Sequence, residues 1–121
     1  MTPAPRRTAA QVAGGQGEDE AARFLERQGL ALVTRNYRTR FGEIDLICRE
    51  GEVLVFVEVR LRSSGRFGGA AESITQGKQR RIISAAGHFL ARFRDPPRCR
   101  FDVVLIQEGP PDWIKAAFEA R

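Results

Sequence analysis

Apolar positions recur along this chain in two rhythms, one helical and one alternating. From about Gly17 to Gln28 the stripe Ala21, Ala22, Phe24, Leu25 and the stem of Gln28 follows a 3.6-residue period and predicts a first helix. Glu18, Asp19 and Glu20 suit the positive end of such a helix, and Gly29 suits its C′ position. Leu30 to Tyr37 then predicts a strand, weakened at Asn36. Two apolar runs, about 43–48 and 53–61, flank Arg49-Glu50-Gly51-Glu52 and predict a hairpin. Ser63 to Gly69 predicts a glycine-rich loop. Ile82, Ala86, Phe89, Leu90 and Phe93 predict a long helix from about Gln76 to Phe93, with Thr75 as N-cap and Asp95-Pro96-Pro97 as its stop. Phe101 to Ile106 reads as a strand and Gly109 to Asp112 as a turn. Trp113-Ile114 reads as a short last strand, and Lys115 to Phe118 as a closing turn or helix. Residues 1–14, rich in Pro, Ala, Gly and Arg without a period, read as a disordered tail, and 15–121 as a single domain. The order α-β-β-β-α-β implies an α/β protein with helices packed on a central mixed β-sheet.

Two acidic residues interrupt the apolar hairpin. Gly42-Glu43-Ile44-Asp45-Leu46-Ile47-Cys48 leads in, and Val53-Leu54-Val55-Phe56-Val57-Glu58-Val59-Arg60 leads out. A carboxylate in a strand core is costly without a compensating cation. With Glu50-Gly51 as a two-residue loop, Arg49 pairs with Glu52, Asp45 lies opposite Phe56, and Glu43 lies opposite Glu58. Residues two apart share a face, so Glu43, Asp45, Glu58 and Arg60 lie together. Asp45 and Glu58 are then diagonal neighbours, roughly 7–8 Å apart at the backbone and able to share one ion. A slip of one residue would separate them onto opposite faces.

Composition sharpens this picture. The net charge is +5, and of the 20 basic residues only Lys78 and Lys115 are not arginine. Guanidinium forks match phosphate geometry, although genome composition explains the same skew equally well. The basic residues also cluster. Arg60, Arg62 and Arg66 follow the acidic strand, Lys78, Arg80 and Arg81 open the second helix beside Gln76, and Arg92, Arg94, Arg98 and Arg100 surround its end. An acidic pocket with a basic rim suits a phosphodiester and a metal ion. No apolar run reaches the roughly 18 residues of a membrane span, and the basic N-terminus lacks a following apolar segment, so the expected compartment is the cytoplasm. Cys48 and Cys99 lie in or beside apolar strands and are expected to be buried, reduced thiols. Two cysteines and one histidine make no zinc cluster.

Each candidate also has a plain structural reading. Asp45 or Glu58 pairing with Arg60 or Arg62 would be an ion network that stabilises the fold. Glu18 would be a helix-start charge, Glu43 a polar strand start, Gln76 a helix-start residue and Lys78 a solvated first-turn residue. His88 reads as structural, Asp102 as facing an arginine, and Trp113 as a core or hairpin plug.

Several motifs in fixed order resemble a known family. Gly-Glu-Ile-Asp-Leu-Ile at 42–47, Val-Phe-Val-Glu-Val-Arg at 55–60, Lys-Gln-Arg-Arg at 78–81, Arg-Phe-Asp-Val-Val at 100–104 and Trp-Ile-Lys-Ala-Ala-Phe at 113–118 resemble the YraN-like family of uncharacterised bacterial proteins. The resemblance covers about residues 15–120. That family is similar to the restriction-endonuclease-like superfamily, in particular to archaeal Holliday-junction resolvases. The resemblance implies a three-layer α/β/α fold and a site of the PD-(D/E)xK pattern. Asp45 takes the position of the motif aspartate, Glu58 that of the motif acid and Arg60 that of the lysine, while Glu18 falls where resolvases carry a glutamate on their first helix. It further implies Mg²⁺ or Mn²⁺ held by Asp45, Glu58 and Glu18. DNA, branched or damaged, is the implied substrate, and a homodimer matches the two-fold symmetry of a junction. Arginine stays protonated and does not act as a base. A non-catalytic nucleic-acid-binding module with the same fold is therefore the alternative, and Lys78 is the residue placed to compensate.

Overall fold

In the computed structural model, which describes residues 9–61 and 74–120, the chain forms α1 (Ala9–Arg27), β1 (Ala31–Arg38), β2 (Glu43–Glu50), β3 (Val53–Leu61), α2 (Gln76–Leu90), β4 (Cys99–Ile106) and β5 (Asp112–Phe118). The strands form one sheet in the order β1-β2-β3-β4-β5. All neighbours are antiparallel except β3 and β4, which are parallel and joined through α2. The sheet is therefore mixed, because a parallel pair needs a crossover that a hairpin does not.

Side-chain alternation along β3 divides the core into two layers. Val55 and Val57 pack with Ala21, Ala22 and Leu25 of α1. Leu54 and Phe56, pointing the other way, pack with Ile82, Ala85, Ala86 and Phe89 of α2. One helix thus covers each face. Phe56 is 1% exposed, between Phe89 at 6.1 Å and Phe101 at 5.5 Å, and burial of a side chain of this size is worth about 1.5–3 kcal/mol.

α1 begins earlier than its apolar stripe indicates. The run Ala9-Ala10-Gln11 has high helix propensity, so the expected tail is helical from Ala9, while residues 1–8 lie outside the described residues. Glu18, Asp19 and Glu20 consequently sit well inside the helix and not at its positive end. Gly29 ends it as expected, with φ +98° and the Leu30 N–H donating to the Leu25 carbonyl at 3.0 Å, the bond of a Schellman cap. Thr75 caps α2, its hydroxyl accepting from the Lys78 N–H at 3.1 Å. α2 ends at Leu90, three residues before the expected Phe93.

The β2–β3 register differs from the expected one by two residues. Glu50 pairs with Val53 and Leu46 with Val57, so Gly51 and Glu52 form the turn. Gly51 has φ +61°, a conformation that glycine adopts without a Cβ clash, and this fixes the turn one position later than the Glu50-Gly51 loop. A slip of two leaves every side chain on its face.

The last segment also differs from expectation. Lys115 to Phe118 is neither turn nor helix but part of β5, with Phe118 opposite Phe101. The buried Asp102 carboxylate holds this strand, accepting from the Trp113 indole N–H and the Ala116 N–H, both at 2.9 Å. Arg100 supplies the countercharge through two bonds of 2.8 and 2.9 Å and also reaches Glu50 at 2.8 Å. Asp102 therefore faces an arginine, and Trp113 is a core plug whose ring meets Phe24 edge-on. Cys48 and Cys99 are both free thiols, but Cys99 is exposed, at the start of β4, and not buried as expected. His88 meets the Tyr37 hydroxyl through Nδ1 at 2.5 Å.

Candidate active site

The paired register of β2 and β3 stops at Leu46 and Val57. Continued one step, it sets Asp45 directly opposite Glu58, closer than the diagonal expected from the shorter loop. Beyond this point the β3 backbone is served by a side chain, because the Val59 N–H donates to Asp45 Oδ2 at 2.8 Å. Asp45 thus closes the β2 end of a gap between the strands, and Glu58 lies beside it, 6% exposed.

Both helices contribute to this gap. The Thr75 cap fixes the first turn of α2 so that Lys78 Nζ stands 3.4 Å from Glu58 Oε1, and Lys78 is a partner of the acid and not a solvated charge. On the other side, Gly17 brings α1 close to the end of β3. A Cβ at Gly17 would lie 2.9 Å from the Leu61 side chain. The next residue, Glu18, therefore reaches the same space. Glu18, Asp45, Glu58, Arg60 and Lys78 all line one open cavity of about 310 Å³.

The electrostatics follow from this crowding. Burial pushes the Glu58 carboxyl up to about 8, aided by the charge of Asp45 and a hydrogen bond with it, while Lys78 pulls the other way. Glu18 is also raised, first by burial and then by Asp45, against the opposing Arg35 charge and an Asn36 hydrogen bond. Its Oε1 is buried without a hydrogen-bond partner, as is Arg35 Nε nearby. Arg35 itself is ion-paired with Asp19. The pocket therefore holds acids whose ionised forms lack sufficient positive charge.

Asn36, read from sequence only as a weak strand end, belongs to the site. It has φ +51° and falls opposite Asp45, between the Arg35–Leu46 and Tyr37–Ile44 pairs. Asparagine tolerates this left-handed conformation better than most residues, which is the one clue its identity offered.

The remaining candidates fall elsewhere. Glu43 does not line the cavity, and it pairs with Arg38 at 3.2 Å on the surface. Gln76 and Arg80 line a separate cavity of about 440 Å³ with Gln79 and Glu119. Arg81 is exposed. Arg62 and Arg66 lie outside the described residues. Among the described residues no three His, Cys, Asp or Glu side chains are grouped so as to hold a metal ion, and no helix is long and apolar enough to cross a membrane.

Fold and cavity together define a mixed α/β protein with an acidic pocket at one end of its central sheet, rimmed by Arg60 and Lys78. Comparison with known proteins agrees with the sequence motifs. The profile of the uncharacterised protein family UPF0102 matches residues 17–106, and the chain belongs to that family, the YraN-like proteins. It is 54% identical over 114 residues to a UPF0102 protein of Herminiimonas arsenicoxydans, covering 94% of this chain and 92% of that protein. It is 60% identical over 107 residues to one of Dechloromonas aromatica, covering 88% of each.

Proposed function

We propose that this protein is an endonuclease-like member of the restriction-endonuclease-like superfamily. It acts on DNA phosphodiester bonds with Mg²⁺ or Mn²⁺, and branched or damaged DNA is the substrate class. The observation that carries this reading is the convergence of Asp45, Glu58 and Glu18 with two cations, Arg60 and Lys78, on one cavity.

The residues fit a hard divalent cation. Glu58 is raised to about 8 and Glu18 Oε1 is orphaned, and a cation relieves both conditions. Mg²⁺ keeps several waters and needs only one or two protein carboxylates, so a complete protein-only ligand set is not required. Asp45 and Glu58 would hold the ion, with Glu18 lining the same cavity; when bound it would supply Lewis-acid polarisation of a phosphoryl oxygen and an acidified water. Arg60 offsets charge on the phosphate. Lys78, 3.4 Å from Glu58 Oε1 on the same cavity, would offer an ammonium for proton transfer, a role the permanently charged Arg60 cannot fill. A homodimer would match a two-fold symmetric junction, and the cytoplasm is the compartment consistent with such a substrate.

The test is cleavage of junction, flap and duplex DNA with Mg²⁺ and with Mn²⁺, alongside Asp45→Asn. Metal-dependent cleavage lost in Asp45→Asn supports the reading. No cleavage of any substrate, together with no metal-dependent thermal shift, overturns it. Arg60 at the lysine position favours a second reading, a nucleic-acid-binding module without chemistry. That reading requires salt-sensitive binding that Asp45→Asn leaves intact and no cleavage by the unaltered protein.

A further inference from the structure

The turn between β1 and β2 presents an unusual surface. Phe41 is 53% exposed, and the Arg40 guanidinium lies 4.9 Å from its ring centroid. Single exposed apolar residues are common and mean little by themselves. This one sits on a turn that is held rigidly from both sides.

Thr39 holds it from within. Its hydroxyl accepts from the Phe41 and Gly42 N–H groups, each at 3.1 Å, and its own N–H donates to the Gly42 carbonyl at 2.8 Å. Helix α2 holds it from outside. A Cβ at Gly42 would lie 2.5 Å from the Arg81 carbonyl oxygen, so glycine is required for the turn to sit on the helix at that distance. The ring is therefore presented by fixed backbone and loses little entropy on contact.

We propose that the Arg40–Phe41 turn is a base-stacking contact for an unpaired or unstacked nucleotide of the DNA bound at the acidic cavity. The inference rests on DNA being the ligand of that cavity. Arg40 covers one face of a ring that stays half in solvent, which leaves a face and an edge for a base. Stacking on an aromatic ring backed by arginine tolerates any sequence. Arg81, exposed beside the turn, supplies charge for the adjoining phosphate, while Arg38 there is paired with Glu43. A protein partner could also use an aromatic and arginine surface, but the arginine surround and the +5 net charge favour a polyanion. Phe41 precedes Asp45 by four residues, at most about 13 Å of extended chain, or about four nucleotides of stacked strand. The turn therefore recognises an irregularity in the DNA a few nucleotides from the phosphate in the cavity.

The test is binding of the full chain, in EDTA so that nothing is cleaved, to a forked DNA with unpaired bases and to a continuous duplex of equal length at one salt concentration. Phe41→Ala is expected to weaken fork binding roughly 5- to 150-fold while duplex binding changes less than about twofold, so the preference for the fork disappears. Phe41→Trp is expected to retain that preference and Phe41→Leu, which keeps apolar bulk without a ring, to lose it. A 2-aminopurine placed among the unpaired bases should be quenched by the unaltered protein and not by Phe41→Ala. Equal weakening on fork and duplex, or no change in Phe41→Ala, overturns the proposal while leaving the assignment of the cavity intact. No nucleic-acid binding by the unaltered protein, either in EDTA or with Mg²⁺, overturns both. Because Phe41 is exposed, the variants should melt with the unaltered protein, and that measurement accompanies each titration.

Discussion

Replacing Glu58 by glutamine keeps the shape of the side chain and an oxygen for Lys78, but removes the titrating charge. In the folded protein this carboxyl is pushed from its ordinary 4.5 to about 8 by burial and by Asp45. Its folded-state value lies above its unfolded one, so the folded chain holds the extra proton between them and stability falls as pH rises. The favourable contribution is complete below about 4.5 and is lost as pH passes through about 8. At pH 7 the group lies about 2.5 pH units above its unfolded value, and about 1.36 kcal/mol per unit makes the loss roughly 3 kcal/mol relative to acid conditions. Glu18 is raised in the same direction, but it is present in both proteins and largely cancels. Urea unfolding in EDTA at several pH values between about 5 and 8 measures the effect. The expected outcome is that the advantage of Glu58→Gln over the unaltered protein grows by roughly 3 kcal/mol across this window. A difference between the two proteins that stays constant with pH, or that shrinks as pH rises, would refute the assignment of Glu58 as an acid held neutral by burial and by Asp45.

Further outcomes follow from other contacts. Asp45→Asn should keep an acceptor for the Val59 N–H and so cost no more than about 1 kcal/mol in urea unfolding, while abolishing any stabilisation by Mg²⁺ or Mn²⁺ in a thermal shift. Asp102→Ala leaves Arg100, the Trp113 indole and the Ala116 N–H without their acceptor. It should cost roughly 3–5 kcal/mol, with amide exchange of β5 accelerated beyond that of β2. Gly42→Ala places a methyl group 2.5 Å from the Arg81 carbonyl and should cost about 1–3 kcal/mol, seen as a lowered urea midpoint.

The sequence revealed what periodicity and punctuation encode. The order of elements, Gly29 and Thr75 as caps, the acidic hairpin and the face shared by Asp45 and Glu58 were all readable, because each is a local pattern. The register escaped by two residues because both Glu50-Gly51 and Gly51-Glu52 are plausible turns, and only the positive φ of Gly51 selects between them. The Lys115-Ala116-Ala117-Phe118 stretch has no alternation and reads as a turn or helix. It becomes a strand because the side chain of Asp102 holds it to β4, a contact that no local pattern within the stretch encodes. Lys78 and Asn36 belong to the site through tertiary geometry alone. Neither pairs with the acids by any fixed spacing: Lys78 is a candidate from the sequence whose pairing with Glu58 needs the helix in position, and Asn36 is visible only once the edge strand is in position.

The parallel pairing of β3 with β4 has a consequence for the order of assembly. β2 and β3 are joined by a tight turn and can zip early, whereas β4 arrives only after α2 has crossed over. Until then β3 is an open edge with the run Val53-Leu54-Val55-Phe56-Val57, a segment suited to pairing with another chain. Glu58 and Arg60 end that run. In the unfolded chain Glu58 has its ordinary acidity and is charged at neutral pH, so the residue that is costly in the finished core is a gatekeeper during folding. Glu58→Gln should therefore gain stability and lose refolding yield, with more light scattering on dilution from urea at high protein concentration.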